Sequence, residues 1–297
     1  MVPGCFQLES LPEQALEKIV SKVNIPQVDK LIALALAEDV GVGDETTRLT
    51  VPPDLYGRAA ITAKQSLTVA GLPVCARVFE LVDYRCLFES SLADGMDAAK
   101  GMLLAEVSGP VNSILTAERT ALNFLQRLSG IATLTRAYVE AVVGTTVHIV
   151  DTRKTTPGWR AIEKYAVRMG GGRNHRYGLF DGILIKDNHI KAAGGVAKAI
   201  AKALAQRVHL HRVEVEVTNL EELAEAVTAG AEVIMLDNMT VDQVIQAVKS
   251  AGGVPLEVSG NINLNTVRSY AETGVDFISV GAVTHSAPAA DISLNLI

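Results

Sequence analysis

Hydrophobic and polar positions fall into two regimes along the chain. In the first, the elements follow no regular order. The unbroken apolar run Leu31–Ala37 predicts a buried helix, ended by Gly41-Val42-Gly43. Residues 58–69 have strand-like composition and stop at Gly71-Leu72-Pro73; residues 75–82 read as helix, and 103–107 as a short strand before Gly109-Pro110. Ile114, Ala117, Ala121, Leu125 and Leu128 recur at helical spacing, with Gly130 as the expected stop. Strands and helices thus mix without βα alternation, which predicts a small α+β domain over residues 1–122. Within it, residues 1–24 carry little pattern and read as a loosely held extension.

Beyond residue 123 short apolar runs alternate with amphipathic stretches, and each run ends in polar residues. The runs are 147–150 before Asp151, 183–185 before Lys186-Asp187, 213–217 around Glu216, 233–236 before Asp237-Asn238, 256–258 before Ser259-Gly260, and 277–280 before Gly281. The last four landmarks are spaced by 21, 22 and 22 residues, one compact βα unit each. Repeated βα units demand a parallel sheet with helices outside it. Chemistry at each strand's C-terminal end marks a (β/α) barrel, expected here over residues 123–285. A doubly wound open sheet is the rival, but no G-x-G-x-x-G follows a strand.

Composition narrows the classes further. A chain of 297 residues suits about two domains, and 48% apolar against 20% charged residues excludes disorder. With aromatics at 4%, Ala, Val, Leu and Ile must fill the core. A net charge of -6 argues against a globally basic nucleic-acid binder. No apolar run approaches the roughly 20 residues of a membrane helix, and the first residues lack a secretory pattern. Cys5, Cys75 and Cys86 are odd in number and show no C-x-x-C spacing, so neither a disulfide framework nor a zinc site is expected, and a reducing cytoplasm fits.

Candidate chemistry begins with a local charge reversal. Between Thr152 and Phe180 stand seven cations (Arg153, Lys154, Arg160, Lys164, Arg168, Arg173 and Arg176) and one acid, Glu163. Arg160, Lys164 and Arg168 recur every fourth residue and read as a solvated helix face. Arg153, Lys154, Arg173 and Arg176, with His175, remain for a pocket that would grip carboxylates, or for interdomain ion pairs. Glu216 and Asp237 end successive strands; they could hold Mg²⁺ or stabilise a developing cation directly. Lys186 could form a Schiff base or contact phosphate. Small residues at Ser259-Gly260-Asn261 and Gly281 could expose backbone N–H groups to a phosphate, or be ordinary turns. His148, His209 and His211 read as structural; His189 and His285 have no assigned role.

The runs Ala117–Asn123, Ser129–Thr133, Asp151–Gly158 (DTRKTTPG), Gly170–Arg176 (GGGRNHR), Ile185–Ile190 (IKDNHI), Met235–Asn238 and Val258–Gly260 stand in one order and at family-like spacing. From about Ile25 onward the chain closely resembles the quinolinate phosphoribosyltransferases, also called nicotinate-nucleotide pyrophosphorylases (carboxylating). That resemblance implies a type II phosphoribosyltransferase-like fold: an α/β N-terminal domain, rejoined by residues 286–297, plus an open or incomplete (β/α) barrel. It implies transfer from phosphoribosyl pyrophosphate to quinolinate with decarboxylation, giving nicotinate mononucleotide, pyrophosphate and CO₂ in de novo NAD biosynthesis, with Mg²⁺. It also implies a homodimer, or a hexamer built from dimers, with shared sites. Arg119 would reach a neighbour's site. Arg153, His175 and Arg176 would hold quinolinate, and Lys154 and Lys186 would contact phosphates or a substrate carboxylate. Glu216 and Asp237 would serve the ribose and Mg²⁺, and Ser259, Gly260 and Gly281 the 5-phosphate. Lys154, Lys186, Glu216 and Asp237 would be catalytic. Asn261, where many relatives have Gly, and Thr218, where an acid is frequent, depart from the family pattern. On the residues alone, a Schiff-base aldolase barrel and a non-enzymatic phosphate-binding barrel stay open. So, by resemblance, does a relative acting on another aromatic acid or in molybdenum metabolism.

Overall fold

The computed structural model describes Ile25 and residues 27–297; the readings made for residues 1–24, Cys5 among them, lie outside the described residues. In chain order the first elements are α1 (Val28–Val40), α2 (Glu45–Thr50), β1 (Tyr56–Ala63), β2 (Leu67–Thr68), α3 (Leu72–Val82), β3 (Leu87–Glu89), β4 (Asp97–Ala98), β5 (Leu103–Pro110) and α4 (Val111–Ala141). Then come β6 (His148–Val150), α5 (Arg160–Met169), β7 (Ile183–Ile185), α6 (Asp187–Ala193), α7 (Val196–Gln206), β8 (Val213–Val217) and α8 (Leu220–Thr228). The chain ends with β9 (Val233–Asp237), α9 (Val241–Ser250), β10 (Leu256–Ser259), α10 (Val267–Ala271), β11 (Phe277–Ser279), α11 (Ala282–His285) and β12 (Ile292–Leu296).

The first unit is an antiparallel sheet in the order β12-β1-β5-β3, with α3 and α4 packed beside it and α1 packed on those two helices. Its outer strand β12 comes from the far end of the chain and pairs with β1 from Ala59↔Leu296 to Ala63↔Ile292. The expected single strand over 58–69 is two strands, since β2 turns away to pair with β4. The apolar run Leu31–Ala37 is helical within α1 but not buried: Val28 and Ile32 are covered, whereas Leu34 is 68% exposed. The run is apolar all round, and only the stripe facing α3 and α4 has a partner.

The predicted helix from Ile114 does not stop at Gly130. It continues to Ala141, because Ile131, Ala132, Thr135 and Tyr138 extend the buried stripe. Gly130 is small for another reason: a Cβ there would lie 1.9 Å from the Pro288 carbonyl oxygen, so the glycine lets the returning tail press onto the helix. The resulting 31-residue rod, about 46 Å long at 1.5 Å per residue, joins the first unit to the second. Phe124, on its buried face, stacks on Trp159 at 4.7 Å and fixes the approach to α5.

The second unit is a six-stranded parallel sheet in the order β6-β11-β10-β9-β8-β7, its strands at the six apolar runs read from the sequence. A closed barrel would also pair β6 with β7. Here those two are the edges, and residues 151–182 span the gap, with Arg173 bridging to Val150. The sheet is thus an open (β/α) barrel. Alternation decides what each face does. Val213, Val215, Val217, Ile234, Leu236 and Val258 are fully buried toward the surrounding helices. Glu214, Glu216, Met235, Asp237, Glu257, Ser259 and Ser279 line the other face. A barrel filled only for stability would carry aliphatic layers there. No helix among the described residues is long and apolar enough to cross a membrane.

Candidate active site

The strand ends that open on one face carry the candidate residues. At the end of β6, Asp151 is wholly buried. It accepts hydrogen bonds from the His175 N–H at 2.8 Å and from Asn174 Nδ2 at 2.6 Å, and it ion-pairs with Lys164. Lys164, 2% exposed, also donates to the His175 carbonyl at 3.0 Å. The reading of Lys164 as part of a solvated face is therefore corrected, although Arg168 is exposed as expected. Lys164 turns inward because the unpaired barrel edge leaves Asp151 in need of a cation. Arg160 is half-buried; its guanidinium donates to Thr155 Oγ1 and to the carbonyls of Tyr177 and Arg153. Burial weighs against both charges of the Asp151–Lys164 pair, raising the Asp151 carboxyl and lowering the Lys164 ammonium from their ordinary values despite their attraction.

This clamp holds the two segments that carry the cations. Arg153 and Lys154 follow Asp151 directly. The Lys154 carbonyl accepts from Thr284 Oγ1 at 2.7 Å, and its stem passes Gly281, where a Cβ would lie 3.3 Å from Lys154 Cδ. Across the gap, Arg176 Nη1 donates to the Gly182 carbonyl at 3.0 Å. Burial and the neighbouring Arg153 guanidinium depress the Arg176 pKa, and Glu214 and Asp181 oppose them. Arg153 Nε and Arg176 Nε are buried without a partner among the described residues. Beside these residues a cavity of about 460 Å³ opens between α5 and the loop 174–181.

The acids stand on the neighbouring strands. Glu216 ion-pairs with Lys186, which follows β7. Asp237 ends β9, directly opposite Ser259 of β10. Asn238, at φ 55°, donates from Nδ2 to Asp237 Oδ2 at 2.9 Å, and its backbone N–H donates to the Ser259 carbonyl at 2.9 Å. Gly260 has φ 95°, and a Cβ there would fall 2.3 Å from Asn238 Oδ1, so only glycine fits this turn. Gly281 opens α11 at the end of β11.

The structure thus joins Lys186 to Glu216, Asp237 to Ser259 and, through Asn238, to Gly260, and Lys154 to Gly281. Arg119 lies apart, exposed on the first half of α4, and no hydrogen bond or ion pair among the described residues ties it to the others. His189 Nδ1 accepts the Lys186 N–H at 2.9 Å and caps α6; His285 sits over Gly281. The two family departures also have partners. Asn261 Nδ2 donates to Asn238 Oδ1 at 3.0 Å, and the Thr218 N–H donates to Glu222 at 2.8 Å.

Sequence reading missed Glu214 and Glu257. Both face into the barrel one layer below Glu216 and Ser259, and both approach His175. Burial first, and then the Glu214 charge, push Glu257 up to about 8. For His175, burial lowers the pKa, but the Glu214 hydrogen bond and the Glu257 charge outweigh it. The signal was available: Glu214 and Glu216 are two apart in VEVEV, as Glu257 and Ser259 are in LEVS, so each pair shares a face.

Comparison with known proteins agrees across nearly the whole chain. Residues 44–129 match the family model for the quinolinate phosphoribosyl transferase N-terminal domain, and residues 131–295 match that for its C-terminal domain. A curated relative from Nicotiana tabacum, quinolinate phosphoribosyltransferase (decarboxylating) 1b, is 43% identical over 286 residues, covering 90% of this chain and 81% of that protein. Among solved structures, NadC from Streptococcus pyogenes superposes with a TM-score of 0.88 at 43% identity, covering 94% of this chain and 99% of that one. The nicotinate-nucleotide pyrophosphorylase from Francisella tularensis superposes with a TM-score of 0.87 at 42% identity, covering 94% of this chain and 100% of that one.

Proposed function

Because the chain belongs to the quinolinate phosphoribosyltransferase family, we propose that it transfers phosphoribosyl from phosphoribosyl pyrophosphate to quinolinate. Decarboxylation then gives nicotinate mononucleotide, pyrophosphate and CO₂ in NAD biosynthesis. One observation carries the residue-level reading. Arg153 and Arg176, whose guanidinium charges act on each other, each keep a buried Nε without a partner among the described residues, on a barrel whose neighbouring strands carry Glu216 and Asp237 at their C-terminal ends.

Quinolinate brings two carboxylates, and the second substrate brings a diphosphate and a 5-phosphate. Without cations the occupied pocket would repel its own contents. Arg153 and Arg176 suit the carboxylates, because each guanidinium can grip one bidentately. Each charge-assisted hydrogen bond contributes about 1.5–3 kcal/mol. Lys154, exposed beside Gly281, suits the departing diphosphate. The backbone at Ser259, Gly260 and Gly281 suits the 5-phosphate. As the diphosphate leaves, ribose C1 gains positive charge, which Glu216 and Asp237 stabilise electrostatically. Once the ring nitrogen is bonded to ribose it is cationic, and it accepts the electron pair that CO₂ leaves on the adjacent carbon. The protein's contribution is then positioning and preorganised charge.

Glu216 gives one oxygen to Lys186 and Asp237 gives one to Asn238, and no hydrogen bond engages the second oxygen of either among the described residues. Two carboxylates supplemented by substrate oxygens fit Mg²⁺. The ion, when bound, would neutralise diphosphate charge. Lys186, ion-paired to a carboxylate, is placed as a cation for an anionic ligand, which argues against the Schiff-base reading. The exposed position of Arg119, apart from the other residues, supports a homodimer, or a hexamer built from dimers, in which it enters a neighbour's site. Free, buried thiols at Cys75 and Cys86 accord with a reducing cytoplasm.

The test is an assay with quinolinate, phosphoribosyl pyrophosphate and Mg²⁺. Equal release of CO₂ and pyrophosphate is expected; unchanged levels of both would overturn the proposal.

A further inference from the structure

Beneath the strand-end residues, the barrel interior holds a second cluster that the proposed chemistry leaves idle. Glu214 on β8 and Glu257 on β10 are 9% and 4% exposed; on the intervening strand β9, Glu214 stands beside Val233 and Glu257 beside Met235. His175 Nε2 lies 3.0 Å from Glu214 Oε2 and 3.8 Å from Glu257 Oε2. The remaining oxygen of each acid is buried without a partner among the described residues.

Two acids and an imidazole invite a metal-site reading, with ligand atoms within 4.8 Å of one another. The imidazole decides against it. His175 Nδ1 accepts the Arg176 N–H at 2.8 Å, so that nitrogen keeps its lone pair. A neutral ring then carries its proton on Nε2, aimed at Glu214. A protonated nitrogen cannot ligate a metal. The His175 backbone is occupied as well, its N–H by Asp151 and its carbonyl by Lys164. Every polar atom of His175 is engaged within the protein, so the residue is held in place rather than offered to a ligand. What the held ring touches next is the backbone N–H of Arg176.

With quinolinate as substrate, the reading on which this inference rests, we propose that Glu214 is a positioning residue. It holds the His175 ring, and through the Arg176 N–H bonded to that ring it aims the Arg176 guanidinium at a substrate carboxylate. His175 is then a relay within the protein and not a quinolinate ligand.

The experiment compares Glu214→Ala with Glu214→Gln, whose amide oxygen still accepts the Nε2–H. An unpaired buried donor should raise the quinolinate KM of Glu214→Ala about tenfold. The KM for phosphoribosyl pyrophosphate should stay within about twofold, and Glu214→Gln should recover most of the loss. Calorimetric quinolinate binding, which needs no turnover, should weaken by the same factor. Should Glu214→Ala fail to fold, Glu214→Asp, whose shorter side chain withdraws the acceptor from Nε2–H, carries the test, with a smaller shift of the same selectivity. A folded variant with unchanged quinolinate KM and binding, or with both KM values raised together, overturns the proposal. Wild-type protein that neither binds nor turns over quinolinate overturns the substrate reading instead.

Discussion

Replacing Lys164 with Met removes the cation that faces Asp151 at the open edge of the barrel. Asp151 is 0% exposed and Lys164 2%, so neither charge has water to fall back on. Removing one partner of such a buried pair costs about 3–5 kcal/mol, because the other charge is left uncompensated. Asp151 keeps the N–H donors of His175 and Asn174, which places the expected loss near the lower limit, about 3 kcal/mol. At about 2–4 °C per kcal/mol, the melting temperature should fall by about 6–12 °C. Urea denaturation at 25 °C gives the free energy directly. Asp151→Asn combined with Lys164→Met should cost less than the two single losses together, by about 1 kcal/mol or more, since residues in contact couple. The His175 carbonyl also loses its donor, so the quinolinate KM should rise. A Lys164→Met protein within about 0.5 kcal/mol of wild type, as for an ordinary surface change, would refute the reasoning.

Nicotinate lacks one carboxylate and would leave a desolvated guanidinium unpaired; discrimination of about 10⁴ in kcat/KM is expected, and comparable rates on both acids would contradict it. Arg119→Ala mixed with Glu216→Ala should regain part of the lost activity through hybrid sites, whereas no recovery despite demonstrated subunit exchange would place each site within one chain. Glu257 titrates at about 8 in the fold against an ordinary 4.5, so the folded protein keeps a proton that the unfolded chain releases between those values. The stability this group contributes therefore falls as pH rises through that window. Glu257→Gln removes the slope, so its stability relative to wild type should rise by about 1 kcal/mol per pH unit between pH 5 and 8. A difference flat across urea titrations at several pH values would count against the buried acid.

Six barrel strands could be read from the sequence because each is a short apolar run ending in polar chemistry, a pattern that buried parallel strands impose. The ends of β7, β8 and β9 gave Lys186, Glu216 and Asp237 in the same way. Gly130 misled because a helix stop and a close backbone approach both call for glycine, and only the tail at Pro288 distinguishes them. Lys164 misled because helical periodicity records which residues share a stripe and not what that stripe faces. Its partner Asp151 is 13 positions away and becomes visible only once β6 lies beside α5 without a strand between. Glu214 and Glu257 were hidden by attention to strand ends, although their period of two with Glu216 and Ser259 announced an inward face. Their meeting at His175 depends on the sheet curling over the loop 173–176, which no local pattern encodes.

The most direct measurement is a crystal structure of the protein with quinolinate bound. Its two carboxylates should lie within about 3 Å of the guanidinium groups of Arg153 and Arg176, with the ring nitrogen turned toward the side of Glu216 and Asp237. Quinolinate bound elsewhere, or Arg153 and Arg176 extended into separate regions of solvent out of reach of either acid, would contradict the single shared pocket.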